Sequence, residues 1–110
     1  MTYKEEAKQV IVQVLKDRKG RPMTVKSIAD FVYVQVGRLV ETNDSYPMTR
    51  KLIRELINEG HCIGSNRDGY YLMFNGKEVQ SYLNSLLQRQ IAISKRIEAV
   101  YNAAKEDGLL

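Results

Sequence analysis

Residues 47–73 read Pro47-Met48-Thr49-Arg50-Lys51-Leu52-Ile53-Arg54-Glu55-Leu56-Ile57-Asn58-Glu59-Gly60-His61-Cys62-Ile63-Gly64-Ser65-Asn66-Arg67-Asp68-Gly69-Tyr70-Tyr71-Leu72-Met73, and this stretch decides the fold. Leu52, Ile53, Leu56 and Ile57 recur at the spacing of a helix with one apolar face. Pro47 suits the first turn, where the N–H it lacks would have no intrahelical partner. Thr49 is the alternative start, and the helix runs to Asn58. Glu59-Gly60 ends it, with glycine in the left-handed cap. Residues 61–65 and 70–74 read as two short strands around Asn66-Arg67-Asp68-Gly69. Asp-Gly between β-prone runs is a hairpin signal. The segment is therefore a helix running into a β-hairpin.

Ala7, Val10, Ile11, Val14 and Leu15 mark the buried stripe of a first helix over residues 3–16. It closes on a lysine-rich end, which suits the negative pole of a helix, and then on Gly20 and Pro22. Thr24 is a good N-cap for a second helix whose stripe is Val25, Ile28, Ala29, Val32, Val36, Leu39 and Val40. Residues 32–36 also alternate like a strand and are rich in β-branched side chains, but the helical stripe is longer. Residues 41–47 form a turn by composition. Downstream, residues 75–106 read as one long helix, with Asn75 as N-cap and Glu78 three residues on, as in a capping box. At that length it spans about 45 Å. The expected organisation is a domain over residues 1–74 and a helix over 75–110.

The chain has 110 residues, enough for one modest core. The apolar share of 44% and charged share of 27% place it among globular chains and not disordered ones. No apolar run approaches the ~20 residues that span a bilayer, so no membrane partner is expected. The acidic start, Met1-Thr2-Tyr3-Lys4-Glu5-Glu6, does not resemble a signal peptide, and a cytoplasmic location is expected. One cysteine and one histidine, adjacent at 61 and 62, rule out an intrachain disulfide and a Cys/His zinc site. Cys62 is expected to be a small buried hydrophobe at the start of a strand. Side chains at neighbouring strand positions diverge, and no Gly-rich phosphate loop or paired carboxylates stand out. No enzyme, cofactor, metal or small-molecule substrate is therefore expected.

The net charge of +4 is local. Residues 1–38 carry eight basic and four acidic side chains, whereas residues 39–74 carry four and five. The excess is densest at Lys16-Asp17-Arg18-Lys19-Gly20-Arg21. Such a patch is the footprint of a polyanion partner, although a solvated loop reads the same way.

The order helix, helix, turn, helix, hairpin, helix matches a winged helix-turn-helix. The run from Thr49 to Ser65, followed by Gly69-Tyr70-Tyr71-Leu72, resembles the recognition helix and wing of bacterial and bacteriophage winged-helix DNA-binding proteins. The resemblance covers residues 43–87 and implies a mostly α fold with a small β-hairpin. It also implies double-stranded DNA as partner, in gene control or phage replication. With the apolar residues inward, Arg50, Lys51, Arg54 and Asn58 point outward, and Arg50, Arg54 and Asn58 share a face. Arg pairs bidentately with guanine and Asn with adenine, and a recognition helix presents such residues in the major groove. Glu55 and Glu59 would repel phosphate if they faced it. Arg67 at the wing tip is assigned to a minor groove or the backbone, and Arg18, Lys19 and Arg21 to supporting phosphate contacts. One of Tyr70 and Tyr71 is expected in the core.

Val79, Leu83, Leu86, Gln90, Ile93, Ile97, Val100 and Ala104 alternate spacings of four and three, a coiled-coil seam over more than three heptads. Leu83, Leu86, Gln90, Ile93, Ile97 and Val100 are the expected contacts of a homodimer, with Gln90 helping to fix register. The alternative is an adaptor that binds no DNA and offers the tail helix to a different protein. The near-neutral charge of residues 39–74 favours that alternative.

Overall fold

The computed structural model describes residues 2–37, 41 and 43–110. The element order is α1 (Tyr3–Asp17), α2 (Val25–Val36), α3 (Pro47–Asn58), β1 (Ile63–Asn66), β2 (Gly69–Leu72) and α4 (Gly76–Glu106). The chain is mostly helical, with a small antiparallel hairpin and a long C-terminal helix. It divides into two compact units, the first ending at Asn75 and the second starting at Gly76. No helix among the described residues is long and apolar enough to cross a membrane.

Local chemistry sets the helix ends. Thr2 caps α1 by accepting a hydrogen bond from Glu5 N at 3.2 Å, and Thr24 caps α2 by accepting from Ser27 N at 3.2 Å. The strand-like alternation at 32–36 loses to the helical stripe. α2 runs on to Val36 and stops at Gly37, whose φ of +76° a β-carbon would strain. Leu39 and Val40, expected on its stripe, lie outside the described residues.

The described residues of the first unit share one core. Ala7, Ile11, Val14 and Leu15 of α1 meet Ile28 and Val32 of α2, Leu52, Ile53 and Leu56 of α3, Ile63 of β1 and Leu72 of β2. Burying a Leu or Ile side chain stabilises by roughly 1.5–3 kcal/mol, so this cluster fixes how α3 is presented. Two expectations about the core are corrected. Ile57 is 41% exposed, and Thr49 is buried in its place. At about 100° per residue, Thr49 lies close to the centre of the Leu52-Ile53-Leu56 stripe, while Ile57 lies at its margin. Cys62 is exposed, because it precedes the ladder, and Ile63 takes the inward position.

The ladder sits nearer the turn than the composition suggested. Ile63 pairs with Leu72, Gly64 with Tyr71, Ser65 with Tyr70 and Asn66 with Gly69, which leaves Arg67-Asp68 as a two-residue loop. Asn66 Oδ1 accepts from Asp68 N at 2.8 Å and closes the turn. β2 has a neighbour on its other edge as well. Met23, between α1 and α2, exchanges both backbone hydrogen bonds with Tyr70, at 2.8 and 2.9 Å. Gly69 makes the approach possible. Its φ is +129°, and a β-carbon there would stand 2.2 Å from Met23 O.

Candidate functional site

The outer face of α3 follows from its buried one. With Thr49, Leu52, Ile53 and Leu56 inward, the opposite arc carries Pro47, Arg50, Lys51, Arg54 and Asn58. Arg50, Lys51, Arg54 and Asn58 are all exposed. Glu55 of α3 and its C-cap residue Glu59 lie off this arc, on the flank against α1. Lys4 Nζ donates to Glu55 Oε1 at 3.2 Å, and Lys8 Nζ donates to Glu59 Oε1. Among the described residues no donor reaches Glu55 Oε2, and Lys8 Nζ stands 3.8 Å from it. The hydrogen bond from Lys4 holds the Glu55 carboxyl below its ordinary value, against a smaller opposing effect of burial, with the charges of Lys4, Lys8 and Lys51 adding to the lowering. The hydrogen bond to Glu59 raises the Lys8 ammonium. Exposed ion pairs contribute little stability. What these pairs do is keep two carboxylates off the cationic arc.

The start of α3 is held in an unusual way. Its N-cap position is Tyr46, in the left-handed region at φ +54°, with no side-chain cap of its own. Glu41 supplies the acceptors from five residues upstream: Oε1 takes Met48 N at 2.9 Å and Oε2 takes Thr49 N at 2.6 Å. A carboxylate here satisfies two orphan N–H groups and opposes the positive end of the helix dipole. Residue spacing does not reveal this contact, because Glu41 lies outside the usual cap and capping-box positions.

Arg50 is then directed, not merely exposed. Its Nε donates to Ser45 O at 2.8 Å, and its Nη1 lies 3.4 Å from the Tyr70 hydroxyl. Tyr70 packs partly on the core. Tyr71, on the other face of β2, covers Gly64, where a β-carbon would stand 2.8 Å from the ring. Arg50 and Arg67 line one open cleft of about 340 Å³ with Thr24, Val25, Ser65 and Tyr70. Thr24 and Val25 open α2, so the positive end of that helix also faces the cleft. The structure thus brings the α3 start, the hairpin tip and the α2 start together.

The basic loop lies elsewhere. Arg18 turns onto its own loop, Nε donating to Arg21 O at 3.2 Å and Nη2 to Pro22 O at 2.7 Å. Arg21 Nε in turn donates to Arg18 O at 3.1 Å. Lys19 and Arg21 are exposed. Gly20 lies against Leu72 O and the Phe74 ring, at the base of the hairpin. That is roughly 15 Å from the Arg67 tip, at ~3.3 Å per strand residue. His61 is half-buried and lines a separate groove with Glu5, Lys8 and Glu59.

In the second unit, no residue of α4 is buried. Leu83, Leu86, Ile93, Ile97 and Val100 of the seam are exposed, as is Gln90 among them. Lys105 Nζ lies 5.5 Å from the centroid of the Tyr101 ring.

Comparison with protein-family models, with curated protein sequences and with solved structures returns no match for this chain, so the geometry carries the functional argument.

Proposed function

We propose that the first unit is a winged-helix module that binds double-stranded DNA, with α3 in the major groove and the β1–β2 hairpin as its wing. The observation that carries this reading is the acid-free arc of Arg50, Lys51, Arg54 and Asn58, continued through the cleft to Arg67. A phosphate strand fits between Arg50 and Arg67, where two guanidinium groups and a helix N-terminus converge. Lys51 adds a point charge to the backbone on the flank of α3. Arg54 and Asn58, further along the arc, take the base edges, Arg to guanine and Asn to adenine. Lys19 and Arg21 reach phosphates only on a duplex long enough to pass the hairpin base. No catalytic residue is assigned. The role fits gene control or replication initiation, where positioning on DNA is the activity.

The test uses duplexes that the wild-type protein selects from a randomised pool. Arg54→Ala should weaken binding to the selected duplex by roughly 5- to 150-fold, the loss expected of one bidentate base contact. Binding to unselected duplex should change far less. Equal affinity of Arg54→Ala and wild type for the selected site would overturn the assignment of α3 to the major groove.

A second reading is a protein adaptor, and one observation favours it. Phe31, Tyr33 and Val34 of α2 are exposed, Val34 at 72%. Binding of a protein through α2 with no salt-dependent affinity for duplex would support that reading over the first.

A further inference from the structure

We propose that α4 packs against α4 of a second copy of this chain in a parallel, in-register coiled coil. The inference is independent of DNA binding. The 31-residue helix has no buried residue, and its seam of exposed apolar side chains repeats by four and three. Taking +3 steps as a to d, Leu83, Gln90, Ile97 and Ala104 occupy a positions, and Val79, Leu86, Ile93 and Val100 occupy d positions. From Val79 to Ala104 the seam is roughly 40 Å long at ~1.5 Å per residue.

Two features of this chain choose the occupant's orientation. The first is charge. Both cations next to the seam, Arg89 and Arg96, fall at g positions, and no acid falls at e or g between Gln80 and Ala103. In an antiparallel pair with full overlap, Leu86 packs with Ile97 of the other copy, and g faces g. Arg89 would then oppose Arg96 of the other copy, twice per dimer by symmetry. In a parallel pair g faces e of the following heptad. Arg89 then meets Ser94, and Arg96 meets Tyr101, both uncharged. The parallel arrangement removes both like-charge oppositions.

The second feature is Gln90. It is the one strongly polar side chain in the seam between Val79 and Ala104. In a parallel, in-register pair it meets its own copy in an a layer, where two amides donate and accept mutually. A heptad slip sets it against Leu83 or Ile97, and an antiparallel pair sets it against Ile93. Either leaves a buried amide unpaired, so the polar layer penalises the alternatives. Charge and register therefore agree on one arrangement. By chain connectivity, it delivers residue 75 of both copies at the same end of the pair.

The experiment uses the full chain with the exposed Cys62 replaced, Cys62→Ser, so that introduced thiols are the only ones. Sedimentation of Cys62→Ser at 50 µM should give at least twice the chain mass. Gln90→Cys in this background should form an interchain disulfide on mild oxidation. A mixture of Leu86→Cys and Ile97→Cys chains carrying tags of different size tests the antiparallel layer. The mixed 86–97 disulfide should be at least tenfold less abundant than the 90–90 disulfide and the 86–86 and 97–97 products. A monomer by sedimentation contradicts the proposal without any substitution in the seam. Predominance of the mixed 86–97 disulfide overturns the parallel orientation.

Discussion

Gly69→Ala is the perturbation that the hairpin geometry prices most directly. The methyl group would sit 2.2 Å from Met23 O, 2.4 Å from Met23 C and 2.8 Å from Thr24 N, all backbone atoms that no rotamer change can move. The φ of +129° adds strain of about 1–3 kcal/mol, because that region belongs essentially to glycine. To relieve the clash, the Met23 segment must leave β2. That breaks the two hydrogen bonds between Met23 and Tyr70, each worth about 0.5–1.5 kcal/mol net. The loss should come to about 3 kcal/mol. A unit of this size has a stability of roughly 4–11 kcal/mol, so the variant keeps its fold with a narrow margin and a Tm lower by on the order of 15 °C. Urea unfolding followed by far-UV circular dichroism reads the loss as a shift in midpoint at unchanged slope. Gly64→Ala is the internal control. Its β-carbon would meet only the far end of the Tyr71 side chain, which can swing aside at a cost of about 1 kcal/mol. If Gly69→Ala unfolds within about 0.5 kcal/mol of wild type, the close approach of Met23 to β2 is refuted.

Glu41→Ala should destabilise the first unit by about 1 kcal/mol, the usual cost of losing a helix cap, and the same urea titration reads it. The Glu55 carboxyl lies below its ordinary value of 4.5 because Lys4 hydrogen-bonds its charged form. The stability this contact supplies is complete above pH 4.5 and is lost as pH falls through the lowered value. Between pH 5 and pH 3, wild type should therefore lose more stability than Glu55→Gln. Parallel urea midpoints across that range would contradict the pairing. Arg54→Ala, described above, tests base recognition by the affinity ratio between selected and unselected duplex.

Periodic elements were legible in the sequence, and singular contacts were not. α1, α3 and α4 announce themselves through apolar spacing, and the hairpin through Asp68-Gly69. Residue type misled the core assignment at two places, Cys62, which precedes the ladder and is exposed, and Ile57. Ile57 is apolar but lies at the margin of its helix face, whereas Thr49 is polar yet stacks a turn below Ile53. The Met23 bridge is one residue long, so it leaves no alternation to read. The Glu41 cap joins residues seven and eight apart across a turn, outside every local capping pattern. For the site, the outward set on α3 followed from periodicity alone. That Glu55 and Glu59 turn to Lys4 and Lys8 did not, since it depends on how α1 crosses α3. Nor did the separation of Arg18, Lys19 and Arg21 from Arg67, because the bridge at Met23 sets which end of the hairpin the loop meets.

The salt dependence of duplex binding tests the proposed role of the first unit's cations. If Arg50, Lys51 and Arg67 contact phosphate as proposed, log K against log salt should have a slope of roughly −2.7 per bound unit, or about a 40-fold loss from 50 to 200 mM. Arg50→Ala/Arg67→Ala should flatten that slope by about 1.8 while the fold stays intact. A wild-type slope near zero, or a slope the double variant leaves unchanged, would contradict the claim that the cleft between α3 and the hairpin holds a DNA strand.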